Sequence, residues 1–187
     1  INLVSRIYSH SFFIFLSSFF VYVWLAISDN FSVLYIAQHS NINLPVFYKI
    51  SSIWSAHEGS MFLWIIFLTT WGAVYNLFTS NDQLLKARTL GVISITSVVF
   101  LLFLLLTSNP FETILPVPPE NGADINPVLQ DPLLAIHPPM LYMGYVGLSV
   151  VFSFAITCCL QGDFKPEWAK WIRPWALISW SFLTFGI

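Results

Sequence analysis

His137 is the residue of this chain whose type and position best suit chemistry. It follows a proline-rich stretch and immediately precedes Pro138 and Pro139, where a long apolar run begins. Proline at the first position of a helix is pre-organised, so the pair predicts a helix start that holds the imidazole at a membrane surface. Such an imidazole can be an axial ligand to haem iron, and Tyr142 and Tyr145 would line an apolar wall for a porphyrin. The alternative is an interfacial histidine hydrogen-bonded to the backbone of the preceding loop.

A second group of polar residues, His57 and Glu58, stands with Trp54 just before another apolar run. The zinc motif H-E-x-x-H would need a histidine where Met61 stands, so no zinc site is predicted. A glutamate at a helix N-terminus is favoured by the helix dipole and is costly in a membrane without a partner. We interpret the group either as a support for the His137 site or as a helix-start cap with an interfacial histidine.

The elements that must position these residues are membrane spans. Only 9% of the 187 residues are charged, against roughly a quarter in an ordinary soluble domain. A helix needs about 20 apolar residues to cross a bilayer, and uncharged runs predict spans near 9–28, 60–79, 90–108 and 139–161. A fifth begins after Arg173 and is cut short at residue 187. The sequence therefore predicts an all-α, multi-pass transmembrane bundle of about five spans, the fifth truncated, with long non-cytoplasmic loops.

The basic residues predict the orientation, because they stay on the cytoplasmic side of short loops. Six of them fall at the N-terminus or in alternate loops, namely Arg6, Lys86, Arg88, Lys165, Lys170 and Arg173. Lys49 is the exception. The loops near 80–89 and 162–173 are therefore expected inside, and the outer loops at about 29–59 and 109–138. The net charge of -2 argues against a nucleic-acid partner, which requires a basic patch. The lipid bilayer is the partner that the composition predicts.

The two outer segments differ in the structure they predict. From Leu44 to Trp54, apolar residues recur at three- and four-residue spacing, which is typical of a short interfacial helix. The second segment, with the residues that flank it, holds eight of the eleven prolines. Because proline lacks an amide donor and disfavours a helical predecessor, this segment is predicted to be extended and rigid.

Several sequence blocks resemble a known family. They are YIAQHSN at 35–41, WSAHEGS at 54–60 followed by LW at 63–64, LTSNPF at 106–111, NPVLQDP at 126–132, IHPPMLYMGYVG at 136–147, RPW at 173–175 and FLTFG at 182–186. In this order they closely resemble the CcmF family, the haem lyase subunits of the multi-component cytochrome c maturation system. The resemblance covers almost the whole chain.

The resemblance implies a membrane protein that accepts haem b, as a substrate, from the haem chaperone CcmE. With a CcmH-type thiol-handling subunit, it would help to join the haem vinyl groups to two cysteine thiols of apocytochrome c. In the family, the histidine of the block that contains His137 is an outer-face axial ligand to this haem. The implied location is a bacterial inner membrane with the functional loops on the periplasmic side, or alternatively a mitochondrial inner membrane.

The departures from the family pattern are also informative. The tryptophan-rich outer loop of the family and its further histidines are absent, so residues 1–187 are expected to form a single N-terminal transmembrane portion of a larger membrane domain. Alone, this portion is expected to be inactive as a lyase. A naturally split gene would look the same. The alternative functions are a transporter or channel segment, and a purely structural assembly subunit.

Overall fold

The structure, a computed structural model, describes residues 2–79, 82–162 and 165–187. Its helices, in chain order, are α1 (Asn2–Ile27), α2 (Leu34–His39), α3 (Val46–Ser51), α4 (His57–Phe78), α5 (Gln83–Thr107), α6 (Pro132–Gln161) and α7 (Pro166–Gly186). Two 3₁₀ turns, Ser52–Trp54 and Pro127–Leu129, lie in the outer segments. The inner loops predicted near 80–89 and 162–173 fall in part on residues 80–81 and 163–164, which lie outside the described residues.

Four helices are long and apolar enough to cross a membrane, as the sequence predicts. The candidate spans lie in α1, α4, α5 and α6 and contain 25, 22, 25 and 30 residues. At about 1.5 Å per residue each exceeds the roughly 30 Å of a hydrocarbon core. The fifth apolar run belongs to α7, which begins at Pro166 and therefore includes Lys170 and Arg173, both predicted to lie in the inner loop. The predicted all-α, multi-pass membrane bundle is confirmed.

The centre of the bundle is α4, which packs against α1, α5 and α6, while α7 packs along α6. Ile65, Ile93 and Val150 are fully buried between these helices. Small residues bring α6 and α7 close together, since a Cβ atom on Gly144 would lie 2.7 Å from the backbone nitrogen of Leu183. The N-terminal half of α6 is therefore held by a tightly packed neighbour.

The start of α6 differs from the prediction. The sequence placed it at Pro138, whereas the helix begins at Pro132 and contains Pro138 and Pro139 in its second turn. The reason is an N-terminal cap: the Asp131 carboxylate accepts hydrogen bonds from the N–H groups of the second and third helical residues, which suits aspartate at this position. Pro132 then occupies the first helical position, where its missing donor costs nothing. The predicted outer loop 109–138 therefore ends at residue 131.

The two outer segments pack against each other through backbone hydrogen bonds. The first folds into α2, α3 and the 3₁₀ turn Ser52–Trp54, which confirms the helix predicted between Leu44 and Trp54. The second is extended apart from one 3₁₀ turn. The Ile114 N–H donates to the Ser32 carbonyl at 2.8 Å, and the Ala123 N–H donates to the Ala37 carbonyl at 2.8 Å. The proline-rich segment is thus fixed to the first outer segment.

Lys49, the only basic residue predicted outside, is paired. Its side chain is 7% exposed, and its Nζ forms an ion pair with the Asp29 carboxylate, which is 24% exposed. The ammonium lies 2.6 Å from Asp29 Oδ1 and 3.2 Å from the Ile42 carbonyl oxygen, to both of which it donates. The pair ties α3 to the end of α1, because Asp29 follows that helix directly. Its carboxylate partner explains how a lone lysine is accommodated there.

Candidate functional site

A cleft of about 300 Å³ opens at the end of the bundle that carries the two outer segments. It lies between the Ser52–Trp54 turn and the first turns of α6. Three residues predicted for the site line it, namely Trp54, Pro138 and Tyr142. His137 directly precedes Pro138 in α6 but is not among the residues that line the cleft. The remaining lining residues are Ser51, Ser55, Ala56, Ser60, Leu129, Leu134 and Ala135. The structure therefore brings together two regions that are far apart in the sequence.

Trp54 connects the two walls of the cleft. Its indole Nε1–H donates a hydrogen bond of 2.9 Å to the carbonyl oxygen of Ala135, 81 residues away in the sequence. The backbone of Trp54 is also held, because the Ser60 hydroxyl donates to its carbonyl oxygen at 2.8 Å. The first outer segment is thus hydrogen-bonded directly to the first turn of α6, at a residue two positions before His137.

The imidazole of His137 is exposed. Within the described parts of the chain, no group forms a hydrogen bond with it. The alternative interpretation requires a hydrogen bond to the backbone of the preceding loop, and the described residues do not form one. In a helix, residues four and seven positions later share a face, so His137 lies above Leu141 and Gly144. Those two residues pack against the C-terminal half of α7. The end of α7 therefore lies about one helical turn from the exposed His137 side chain.

The other residues predicted around His137 are placed differently from one another. The half-buried ring of Tyr142 lies in the cleft and makes an edge contact with Trp64, with 5.5 Å between ring centroids. Pro139 is half-buried within α6 but is not among the residues that line the cleft, and Tyr145 is 57% exposed outside it. Only Tyr142 of the two predicted tyrosines therefore belongs to the cleft wall.

His57 and Glu58 are not part of this cleft. The exposed ring of His57 meets Phe103 of α5 edge-on, with 5.9 Å between ring centroids. Glu58 is half-buried and lines a separate polar cavity of about 60 Å³ together with Gln38 and Glu112. Both residues occupy the first turn of α4, as predicted, but among the described residues Trp54 alone of this group forms a hydrogen bond with α6.

Tyr35 holds the turn that carries Trp54, and the sequence analysis missed this role. Its hydroxyl lies 3.0 Å from the carbonyl oxygens of Ser52 and Ile53, to which it donates, and it accepts from the Ala56 N–H at 3.0 Å. Burial raises the pKa of Tyr35 to about 12, although hydrogen bonds from Ser55 and Ala56 oppose the shift. The hydroxyl therefore stays protonated and able to donate at physiological pH. The sequence signal for this role was the presence of a tyrosine, Tyr35, in a polar outer segment.

Gly59 allows this turn to approach α4. A Cβ atom at this position would collide with the Ile53 carbonyl oxygen and would lie 2.8 Å from the Tyr35 hydroxyl. Glycine is suited to such close approaches of backbone to backbone. The placement of Trp54 thus depends on a glycine, a buried tyrosine and a serine that are all near it.

Known proteins resemble this chain along most of its length. The sequence pattern of the family described as "Cytochrome C assembly protein" matches residues 54–187. The chain is 50% identical over 165 residues to the cytochrome c-type biogenesis protein CcmF of Pseudomonas aeruginosa, which covers 88% of this chain and 25% of that protein. It is 47% identical over 171 residues to CcmF of Escherichia coli K12, covering 91% and 26% respectively.

A solved structure agrees with these sequence matches. The structure described as "Cytochrome c Heme Lyase CcmF" superposes with a TM-score of 0.80 at 26% sequence identity, covering 97% of this chain and 28% of that one. The chain thus spans about a quarter of the length of the curated relatives that it matches.

Proposed function

The chain belongs to the cytochrome c assembly protein family, and we propose that it forms part of a haem lyase that attaches haem covalently to apocytochrome c. Because it spans about a quarter of its relatives' length, the activity of the complete enzyme requires the parts that correspond to their remaining length. The family does not favour the alternative of a transporter or channel segment.

The share of this chain in that activity is to hold haem through His137. The observation that carries the proposal is an exposed imidazole without a hydrogen-bond partner among the described residues, in the same helical turn as Pro138, which walls a cleft together with Trp54 and Tyr142. A neutral imidazole nitrogen is a common ligand of haem iron. Aromatic and proline side chains suit the apolar face of a porphyrin, since ligand sites are mostly apolar with a few polar groups.

The size of the cleft indicates how much of the haem it takes. Small-molecule sites commonly enclose about 300–1,000 Å³, so a cleft of about 300 Å³ takes one side of a macrocycle rather than enclosing it. The end of α7 lies about one turn from His137, and any chain that follows α7 would emerge beside the imidazole. We propose that such chain completes the site.

The chemistry belongs to the substrate haem, and the protein positions it. A cysteine thiol adds across each vinyl group: a carbon–sulfur bond forms, the thiol proton passes to the other vinyl carbon, and no oxidant is consumed. The role of His137 is to fix the iron so that the vinyl carbons face the incoming thiols, which removes much of the entropic cost of the encounter.

The finer assignments are also proposals. The substrate haem is haem b, its donor is the chaperone CcmE, and the thiols are presented with a CcmH-type subunit on the periplasmic side of a bacterial inner membrane. Mitochondrial inner membranes are the alternative location. The alternation of the basic residues along the chain supports an outer position for both segments that wall the cleft.

The test replaces His137 with glycine in a chimaera in which this chain substitutes for the equivalent quarter of the Escherichia coli relative. Holocytochrome c is measured with and without added imidazole, which can occupy the space that the side chain leaves. We expect loss of holocytochrome c in the His137→Gly chimaera and its recovery with imidazole.

The matched control is His10→Gly, which introduces the same change into α1, where the ring is bonded to the Arg6 carbonyl. This variant should assemble holocytochrome c normally. Undiminished assembly in the His137→Gly chimaera without imidazole would remove the ligand role. Loss that imidazole fails to restore would assign a structural role to His137 instead.

A further inference from the structure

Pro138 and Pro139 of α6 leave the carbonyl oxygen of Ala135 without its usual backbone N–H donors. In an α-helix a carbonyl accepts from the N–H group four residues later, and in a 3₁₀-helix from the one three residues later. For Ala135 these positions are Pro139 and Pro138, and neither has an N–H group. For Leu134 the residue three positions later is His137, which retains its N–H. Ala135 is therefore the residue whose carbonyl loses both of its usual helical partners.

This carbonyl also lies where water is scarce. Ala135 is 3% exposed, and a buried carbonyl without a partner costs much of the free energy of a lost hydrogen bond. The indole N–H of Trp54 supplies the missing donor at 2.9 Å. The Trp54 side chain therefore supplies the hydrogen bond that the two prolines cannot donate to the Ala135 carbonyl.

The donor is itself held in place. The Ser60 hydroxyl donates to the Trp54 carbonyl at 2.8 Å, and the Tyr35 hydroxyl donates to the carbonyls of the same 3₁₀ turn. Tyr35 is 4% exposed, so water does not compete for these hydrogen bonds. The hydrogen bond to Ala135 thus originates from an ordered part of the first outer segment.

We propose that Trp54 is a positioning residue for the haem ligand His137, because its indole N–H satisfies the one carbonyl that Pro138 and Pro139 leave without a helical donor. This inference rests on the proposed haem-binding role of His137. The imidazole is two residues beyond Ala135, in the same turn of α6. When the carbonyl has no partner, the turn rearranges to reach another donor, and the fraction of molecules with the imidazole in its binding orientation falls.

The test is a cycle of two substitutions in the chimaera described above, measured as its haem affinity in lipid nanodiscs. Trp54→Phe keeps the ring and removes the donor. Pro139→Ala restores a helical N–H to the Ala135 carbonyl, so it makes Trp54 dispensable. Haem is titrated and followed by its Soret absorbance, which reports ligation by imidazole. Since apparent affinity scales with the competent fraction, we expect Trp54→Phe to raise the haem Kd about 5- to 30-fold.

The suppressor decides between positioning and simple packing. In the Pro139→Ala background the same Trp54→Phe change should alter the haem Kd by less than about threefold, because the backbone N–H restored at position 139 satisfies the Ala135 carbonyl without the indole. If the two sites were not coupled, their effects would be additive and Trp54→Phe would raise the Kd equally in both backgrounds. Any direct effect of Pro139 on haem cancels in this comparison. Trp180→Phe, at a tryptophan that is 62% exposed on α7, is the matched control and should leave the haem Kd unchanged.

The outcomes separate the inference from the proposed function. If His137→Gly leaves haem affinity and the Soret band unchanged, the ligand role fails. If His137→Gly weakens binding but Trp54→Phe does not, or if Pro139→Ala fails to suppress the effect, Trp54 does not position His137. A Trp54→Phe chain that folds only in the Pro139→Ala background supports the proposal, and one that folds in neither background contradicts it.

Discussion

Replacing Asp29 with asparagine should destabilise the protein more than replacing Lys49 with methionine, although both changes break the same ion pair. The Lys49 side chain is 7% exposed and that of Asp29 is 24% exposed. Asp29→Asn therefore leaves the Lys49 ammonium in a buried position without a carboxylate partner. Its acceptors are then the Ile42 carbonyl oxygen and the new amide oxygen. Breaking a buried pair in this way costs about 3–5 kcal/mol. Asp29 has a φ of 56°, a conformation that asparagine also tolerates, so backbone strain does not add to this cost.

The reverse change is milder for two reasons. Lys49→Met leaves a carboxylate that water can reach, and methionine keeps the apolar stem that packs in the lysine position. We expect a cost of about 1 kcal/mol, in the range of partly exposed pairs. The double variant Asp29→Asn with Lys49→Met should be more stable than Asp29→Asn alone, because it removes the stranded ammonium.

The free energy of unfolding is to be measured by chemical denaturation in detergent micelles, with hydrogen exchange of residues 29–52 as the local readout. The reasoning is refuted if Lys49→Met costs as much as Asp29→Asn or more. It is also refuted if the double variant is less stable than both single variants, since then the charge left behind is not the source of the cost.

Two further predictions concern α6. Asp131→Ala should lower stability by about 1 kcal/mol by removing the cap, with faster amide exchange at the start of α6. Asp82→Ala, which removes the equivalent cap of α5, should leave exchange in α6 unchanged. Gly144→Ala should cost about 1–3 kcal/mol by overpacking, because its Cβ would lie 2.5 Å from Leu183 Cγ, and thermal unfolding measures this. Gly91→Ala meets nothing within 4 Å and should stabilise α5 by about 0.5–1 kcal/mol; equal effects at the two glycines would contradict the packing argument.

The elements of this fold were predictable because their signals are local. An uncharged apolar run of about 20 residues predicts a span wherever it occurs, and all four full-length runs form helices that are long enough. The helix between Leu44 and Trp54 and the extended proline-rich segment follow in the same way from spacing and from the missing donors of proline. The haem role of His137 stays a prediction.

The start of α6 shows where local signals compete. Proline favours the first helical position, and the sequence offers that choice at Pro132 and again at Pro138. The structure uses the earlier one, because Asp131 caps it and because a side chain from another segment replaces a donor that the double proline lacks. The replacement for Ala135 comes from Trp54, 81 residues away, and no local pattern reveals such a partner.

The sequence by itself determined the class of fold and the approximate positions of four spans, since these depend on composition and periodicity within a short stretch of chain. It also named the residues whose type permits ligation. The tertiary structure alone decided which of those residues meet. It joined Trp54 and Tyr142 across one cleft, left Tyr145 outside it, and gave Lys49 its carboxylate partner. These outcomes depend on contacts between segments distant in sequence, where burial removes water and every polar group must find its partner in another part of the chain.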